Sequence, residues 1–235
     1  MIGAILAVLL AVGGLFGYLA VRHHEQQKSA GIRVSGIPAS VSTSLANLME
    51  LSPVPRQQAP GFTLTDQDGH TLSMAGFRGH AVVLEFMDPH CVDICPIVSQ
   101  EFIDAWHDLG KAAARAEFVA VNVNPYHHGV ADVAAYSTEH QLTTIPSWHF
   151  LTGPLGSLRA VWKAYGIQVA APSRNADVVH TSAVYFIDPS GRERYVASPM
   201  ADHTPKGAAY LPAGLLAGWG QGIAMLARQL THPGT

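Results

Sequence analysis

Residues 81 to 87 read AVVLEFM, a short apolar run rich in β-formers with turn residues on both sides. A run of that length without alternation is the pattern of a strand covered on both faces. Such a strand lies inside a sheet that has helices above and below it, which already excludes a bundle or an open one-sided sheet. Cys91 and Cys95 follow directly, and beyond Pro96 the apolar residues Val98, Phe102, Ala105, Trp106 and Leu109 recur at helical spacing. The cysteines therefore sit where a buried strand hands over to a helix, with Cys95 at or near the helix start.

The rest of the chain continues the alternation. A strand is predicted over residues 117–123, a helix over about 130–140, a strand over 147–151, and a helix carrying Leu158, Val161, Trp162 and Tyr165 that ends at Gly166. His180 opens a strand running to Asp188; Pro189-Ser190-Gly191 is a turn, and residues 192–196 return as the second strand of a hairpin. A last helix, about 212–230, puts Leu215, Trp219, Ile223, Leu226 and Leu230 on one face, although Gly214, Gly218, Gly220 and Gly222 weaken it. Upstream, FTLTDQDGHTLSM is a small hairpin about Asp68-Gly69. The expected fold is α/β and thioredoxin-like, a central mixed sheet flanked by helices. There is no internal repeat.

Residues 2–21 carry no charge and are long enough to cross about 30 Å of hydrocarbon as a helix, ending at Arg22. The expected organisation is a transmembrane anchor over 1–22, a proline-bearing stalk over 23–60 with one short helix near residues 44–51, and a folded domain over 61–235. The soluble part is expected on the extracytoplasmic side of the membrane. A net charge of -3 with no Lys/Arg cluster argues against nucleic acid as a partner.

The chain has only two cysteines, and an isolated close pair points to redox or metal chemistry. A helix N-terminus favours the thiolate, which serves both disulfide exchange and soft-metal binding. Dithiol oxidoreductases of this fold typically separate their cysteines by two residues; here there are three, Val92, Asp93 and Ile94, which sets both sulfurs on one helical face. One cysteine pair cannot complete a four-cysteine site, so a third ligand is needed to hold a soft ion such as Cu(I). His180 is the candidate, expected on a central strand near the cysteine loop. Asp93 is read as a helix cap, His90 as a solvent-facing loop residue, and His127, His128, His140, His149 and His203 as surface or packing residues.

Several separated stretches resemble the Sco/SenC copper proteins that assist assembly of cytochrome c oxidase. The cysteine loop Pro89-His90-Cys91-Val92-Asp93-Ile94-Cys95-Pro96 is similar to that family's Thr-x-Cys-Pro-Asp-x-Cys-Pro. Val178-Val179-His180-Thr181-Ser182 with Ile187-Asp188-Pro189-Ser190-Gly191 resembles the stretch around its copper histidine, and Trp148-His149-Phe150-Leu151-Thr152-Gly153 resembles its Trp-x-x-Leu-Thr-Gly. The resemblance spans about residues 60–196. It implies a membrane-anchored copper chaperone with Cys91, Cys95 and His180 as metal ligands, serving the binuclear copper centre of cytochrome c oxidase subunit II. The alternative it leaves open is a thiol–disulfide oxidoreductase in which Cys91 and Cys95 are the catalytic pair, reducing the oxidase cysteines. Three departures stand out: Val92 replaces a proline, Val179 replaces an acidic residue, and Asn122-Val123-Asn124-Pro125 replaces an Asp-Pro.

Overall fold

The computed structural model describes residues 34–231. Its main sheet has six strands: β1 (Ser52–Pro53), β4 (Ala81–Met87), β5 (Ala116–Asn122), β6 (Trp148–Leu151), β9 (Val184–Ile187) and β10 (Glu193–Ala197), in the order β1-β10-β9-β4-β5-β6. β4, β5 and β6 run parallel, while β9, β10 and β1 are joined by antiparallel pairings. The sheet is therefore mixed, as its strand and helix order requires.

Every residue of β4 is buried. Its side chains alternate between two cores, because successive residues of a strand point to opposite faces. Ala81, Val83 and Met87 face a core shared with Phe102, Ala105, Trp219, Ile223 and Leu226; Val82, Leu84 and Phe86 face one shared with Phe62, Leu158, Trp162 and Tyr165. The first core is covered by α2 (Ile94–Leu109) and α5 (Ala213–Thr231), and Leu158, Val161 and Trp162 bring α4 (Leu155–Ala164) to the second. Among the described residues the remaining α-helices are α1 (Thr43–Leu48) and α3 (Val130–Glu139).

Three smaller ribbons lie outside the main sheet: β2 (Thr63–Thr65) with β3 (Thr71–Ser73), β7 (Val169–Ala170) with β8 (Val179–His180), and β11 (Asp202–His203) with β12 (Ala209–Tyr210). The β2–β3 turn forms where expected, with Gly69 at φ +85° and the Asp66 carboxylate accepting the Asp68 and His70 amides. The β9–β10 turn follows the same chemistry: Gly191 adopts φ +73° and Asp188 Oδ1 accepts the Ser190 and Arg192 amides.

Two segments differ from expectation. The segment assigned to a stalk up to residue 60 is part of the folded body from Ile37 onward: Ile37, Val41, Leu45, Met49 and Leu51 are buried in the first core, and Ser52 and Pro53 pair with Val196 and Tyr195. Its prolines and serines break the periodicity that would have marked it as structured. The strand expected from His180 to Asp188 is split in two. His180 ends the peripheral β8, Thr181 is diverted to bond Gln168, and only Val184 onward joins the main sheet.

The glycines of α5 pack the first core closely. A Cβ on Gly220 would stand 2.7 Å from Asp104 Cβ, and one on Gly222 would collide with the Met49 sulfur, so their absence lets α5 approach α2 and α1. Leu215, expected on the buried face, is instead exposed at 37%. Among the described residues no helix is long and apolar enough to cross a membrane, and the run 2–21 lies outside the described residues.

Candidate metal centre

The cysteine loop leaves the end of β4 at a buried carboxylate. Asp88 Oδ1 accepts the His90 amide at 2.9 Å and Asn124 Nδ2 at 2.8 Å, and the Asp88 carbonyl accepts the Cys91 amide. Asn124 in turn accepts the Tyr126 and His127 amides, both at 2.9 Å. One buried Asp–Asn pair thus ties the loop after β4 to the loop after β5. Asn122-Val123-Asn124 was legible only as a departure from a family pattern; the polar alternation at a strand end is the signal that could have identified it as a brace.

Cys91 is half-buried and Cys95 is buried in the first turn of α2; both are free thiols. The Cys95 amide points at Cys91 Sγ, 3.4 Å away. Ionisation divides unequally between the two. The Cys95 thiol donates to the Cys91 sulfur and, with the first-turn amides of Asp93 and Cys95, brings Cys91 down to about 7 against the opposing cost of burial. Cys95 moves the other way, held protonated by that same donated hydrogen bond, by burial and by the negative charge of Cys91. The outer sulfur is the ready thiolate and the inner one keeps the proton.

His180 Nδ1 lies 3.0 Å from the carbonyl of Thr181. A carbonyl only accepts, so the proton is on Nδ1 and Nε2 carries the lone pair, the tautomer a metal requires. Burial lowers the His180 pKa, keeping the ring neutral, with Asp88 opposing as a nearby negative charge. Asp88 therefore feels both the cysteine loop and His180. The structure brings Cys91 and Cys95 together, but the ligand atoms of Cys91, Cys95 and His180 do not all come within 4.8 Å of one another. His180 is on the β7–β8 ribbon, not on a central strand as expected.

Asp93 occupies the N-cap position of α2 but makes no capping hydrogen bond. Its Oδ1 instead accepts from His203 Nε2 at 2.8 Å, which ties the β11–β12 ribbon to the cysteine loop. The cap reading of Asp93 is corrected by that contact, while His203 stays at the surface as expected, 48% exposed; the contact spans 110 residues and leaves no local sequence signal.

The sequence model of the SCO1/SenC family matches residues 53–208, a stretch containing the sheet from Pro53 onward, the cysteine loop and His180. The chain belongs to the SCO1/SenC family. It is 30% identical over 147 residues to the mitochondrial SCO2 homolog of Bos taurus, covering 58% of this chain and 53% of that protein, so it spans about half the length of this relative. Among solved structures, copper-bound ScoI of Bradyrhizobium japonicum aligns with a TM-score of 0.57 at 21% identity, over 74% of this chain and 99% of that one. BsSco, a member of the Sco family of cytochrome c oxidase assembly proteins with a disulfide switch, aligns at 0.52 and 21% identity over 63% and 85%. At these identities the structures show that the fold is shared.

Proposed function

We propose that this chain is a membrane-anchored copper metallochaperone whose cargo ion is held by Cys91, Cys95 and His180 and passed to the binuclear copper centre of cytochrome c oxidase subunit II. The reading is carried by the Cys91–Cys95 pair at the start of α2, with the Cys95 amide directed at Cys91 Sγ and ionisation divided between the two thiols, together with His180 held by the Thr181 carbonyl so that Nε2 is free for a metal. Cys91 offers a thiolate near neutral pH, Cys95 needs to lose only one proton to become a second, and His180 Nε2 presents its lone pair. Two sulfurs and one nitrogen suit Cu(I), and the imidazole widens the set toward Cu(II).

Loading calls for a closing movement, since the three ligands are not gathered within 4.8 Å. The short β7–β8 ribbon lies outside the main sheet, and closing it on the cysteine loop would shift Val169 and Val178, which pack against the edge of the second core. Val92 and Val179, next to Cys91 and His180, are 88% and 69% exposed, apolar surface that a partner protein would cover during transfer. The uncharged run 2–21 supplies the anchor, with the domain on the extracytoplasmic side, where oxidation would close Cys91 and Cys95 into a disulfide in the metal-free state.

A second reading draws on the same pair. An outer thiolate with a protonated inner partner is the arrangement of a dithiol reductant. Cys91 would attack a target disulfide to form a mixed disulfide, and Cys95 would resolve it, leaving two target thiols and a Cys91–Cys95 disulfide. His180 has no part in that cycle. Copper titration of the reduced chain separates the two: thiolate-to-copper charge transfer should colour the Cu(II) form, and His180→Ala should lose most of that coloured binding while its cysteines still cycle. If His180→Ala keeps the thiolate-coloured copper binding and supports oxidase assembly while Cys91→Ser and Cys95→Ser fail, the reductase reading replaces the chaperone.

A further inference from the structure

The buried Asp88–Asn124 brace does more than shape the cysteine loop. By fixing the His90 and His127 amides from one pair of side chains, it brings two histidines from different loops face to face, with ring centroids 4.0 Å apart and planes inclined by 35°. The Asn122 side chain also donates to the His127 carbonyl at 2.8 Å. On the facing helix α3, the Asp132 carboxylate divides its oxygens: Oδ2 accepts the Gly129 amide at 2.9 Å, and Oδ1 is turned toward the imidazoles. Asp132 Oδ1 lies 3.4 Å from His90 Nε2 and 3.9 Å from His127 Nδ1, and one ligand atom from each residue lies within 4.8 Å of the other two.

Those separations are long for good hydrogen bonds, which centre near 2.9 Å. They suit ligands converging on an ion, because two donors bound at about 2.0–2.1 Å in a tetrahedral set stand roughly 3.3 Å apart. An ion pair would need only one imidazole against the carboxylate, whereas here two nitrogens face a single oxygen. The neighbouring His128 is engaged elsewhere, with Nδ1 3.1 Å from the Gly153 carbonyl. His90 is half exposed at 50%, which leaves open positions for water.

We infer that His90 Nε2, His127 Nδ1 and Asp132 Oδ1 form a second metal site, for a divalent ion of the Cu(II) or Zn(II) type, adjacent to the cysteine pair and independent of its sulfurs. Two imidazoles and a carboxylate bind borderline divalent ions, with Cu(II) the tightest of the series, whereas the two thiols favour Cu(I). His90 precedes Cys91 directly, so the two sites share one loop but take their ions through different donors, one with thiolates and one without. The backbone brace supplies the outer support that holds metal ligands in place.

The test uses the full chain in detergent with Cys91→Ser and Cys95→Ser together, so that its outcome does not depend on the thiol site. Cu(II) titration followed by electron paramagnetic resonance should give one tight equivalent with nitrogen superhyperfine structure, and Zn(II) should compete for it. His90→Ala and His127→Ala should each weaken binding at least ten-fold, and Asp132→Asn, which retains a side-chain acceptor for the Gly129 amide, should weaken it as well. His107→Ala and His180→Ala in the same background should leave the affinity unchanged. Binding undiminished in both His90→Ala and His127→Ala would overturn the site, as would loss of the ion on His180→Ala.

Discussion

Replacing Glu101 with methionine should stabilise the protein and remove part of its pH dependence. Glu101 is fully buried on α2, and neither carboxylate oxygen has a hydrogen-bond partner. Burial, with the negative fields of Glu85 and Asp104, pushes its pKa up to about 9. An unfolded glutamate titrates near ~4.3, so between that pH and about 9 the folded chain holds a proton that the unfolded chain has released. The folded pKa is raised, so the contribution to stability is fully present below about 4.3 and is lost as pH rises, at about 1.4 kcal/mol per pH unit. By pH 7 the loss is about 3–4 kcal/mol, a figure that holds for any folded value well above 7. Methionine has similar length and nothing to ionise. Urea unfolding at several pH values between 5 and 8 should show the Glu101→Met advantage growing by about 1.4 kcal/mol per unit. An advantage that stays constant with pH would refute the reasoning, because altered packing alone shifts stability equally at every pH.

Two further outcomes follow from the site and the helix packing. Alkylation of the reduced chain by iodoacetamide should label Cys91 well before Cys95 and show a rate inflection near pH 7, measured by peptide mass spectrometry; faster labelling of Cys95 would reverse the assignment of thiolate and thiol. Gly220→Ala should cost about 1–3 kcal/mol in urea unfolding, because the new methyl would meet Asp104 Cβ at 2.7 Å and the Ala105 backbone at 3.3 Å; unchanged stability would mean that α5 sits less tightly on α2.

What the sequence disclosed depended on how local each signal was. The buried strand β4, the cysteine loop and the Asp188–Gly191 turn were legible because each is encoded in adjacent residues: an apolar run, a helix start marked by Pro96 in its first turn, and an Asx turn closed by Gly191 at φ +73°. The periodicity of α2 was legible too, but it concealed Glu101, a charged residue on the buried face between Val98 and Phe102. α1 was legible as a short helix, but its burial, and β1 altogether, escaped because the contacts are made with α5 and β10, far along the chain. His180 was placed one strand too centrally because the apolar run Ala183–Ile187 after it does join the sheet, while Thr181 diverts the chain just before it. The cluster of His90, His127 and Asp132 had no sequence signature, since its register is set by the buried Asp88–Asn124 contact.

The most direct test of the copper reading is the X-ray absorption spectrum of the reduced chain loaded with one equivalent of Cu(I). The account predicts a three-coordinate ion with two sulfur ligands from Cys91 and Cys95 and one imidazole nitrogen, the nitrogen shell disappearing in His180→Ala. A spectrum without two sulfurs, or a nitrogen shell that persists unchanged in His180→Ala, would contradict it.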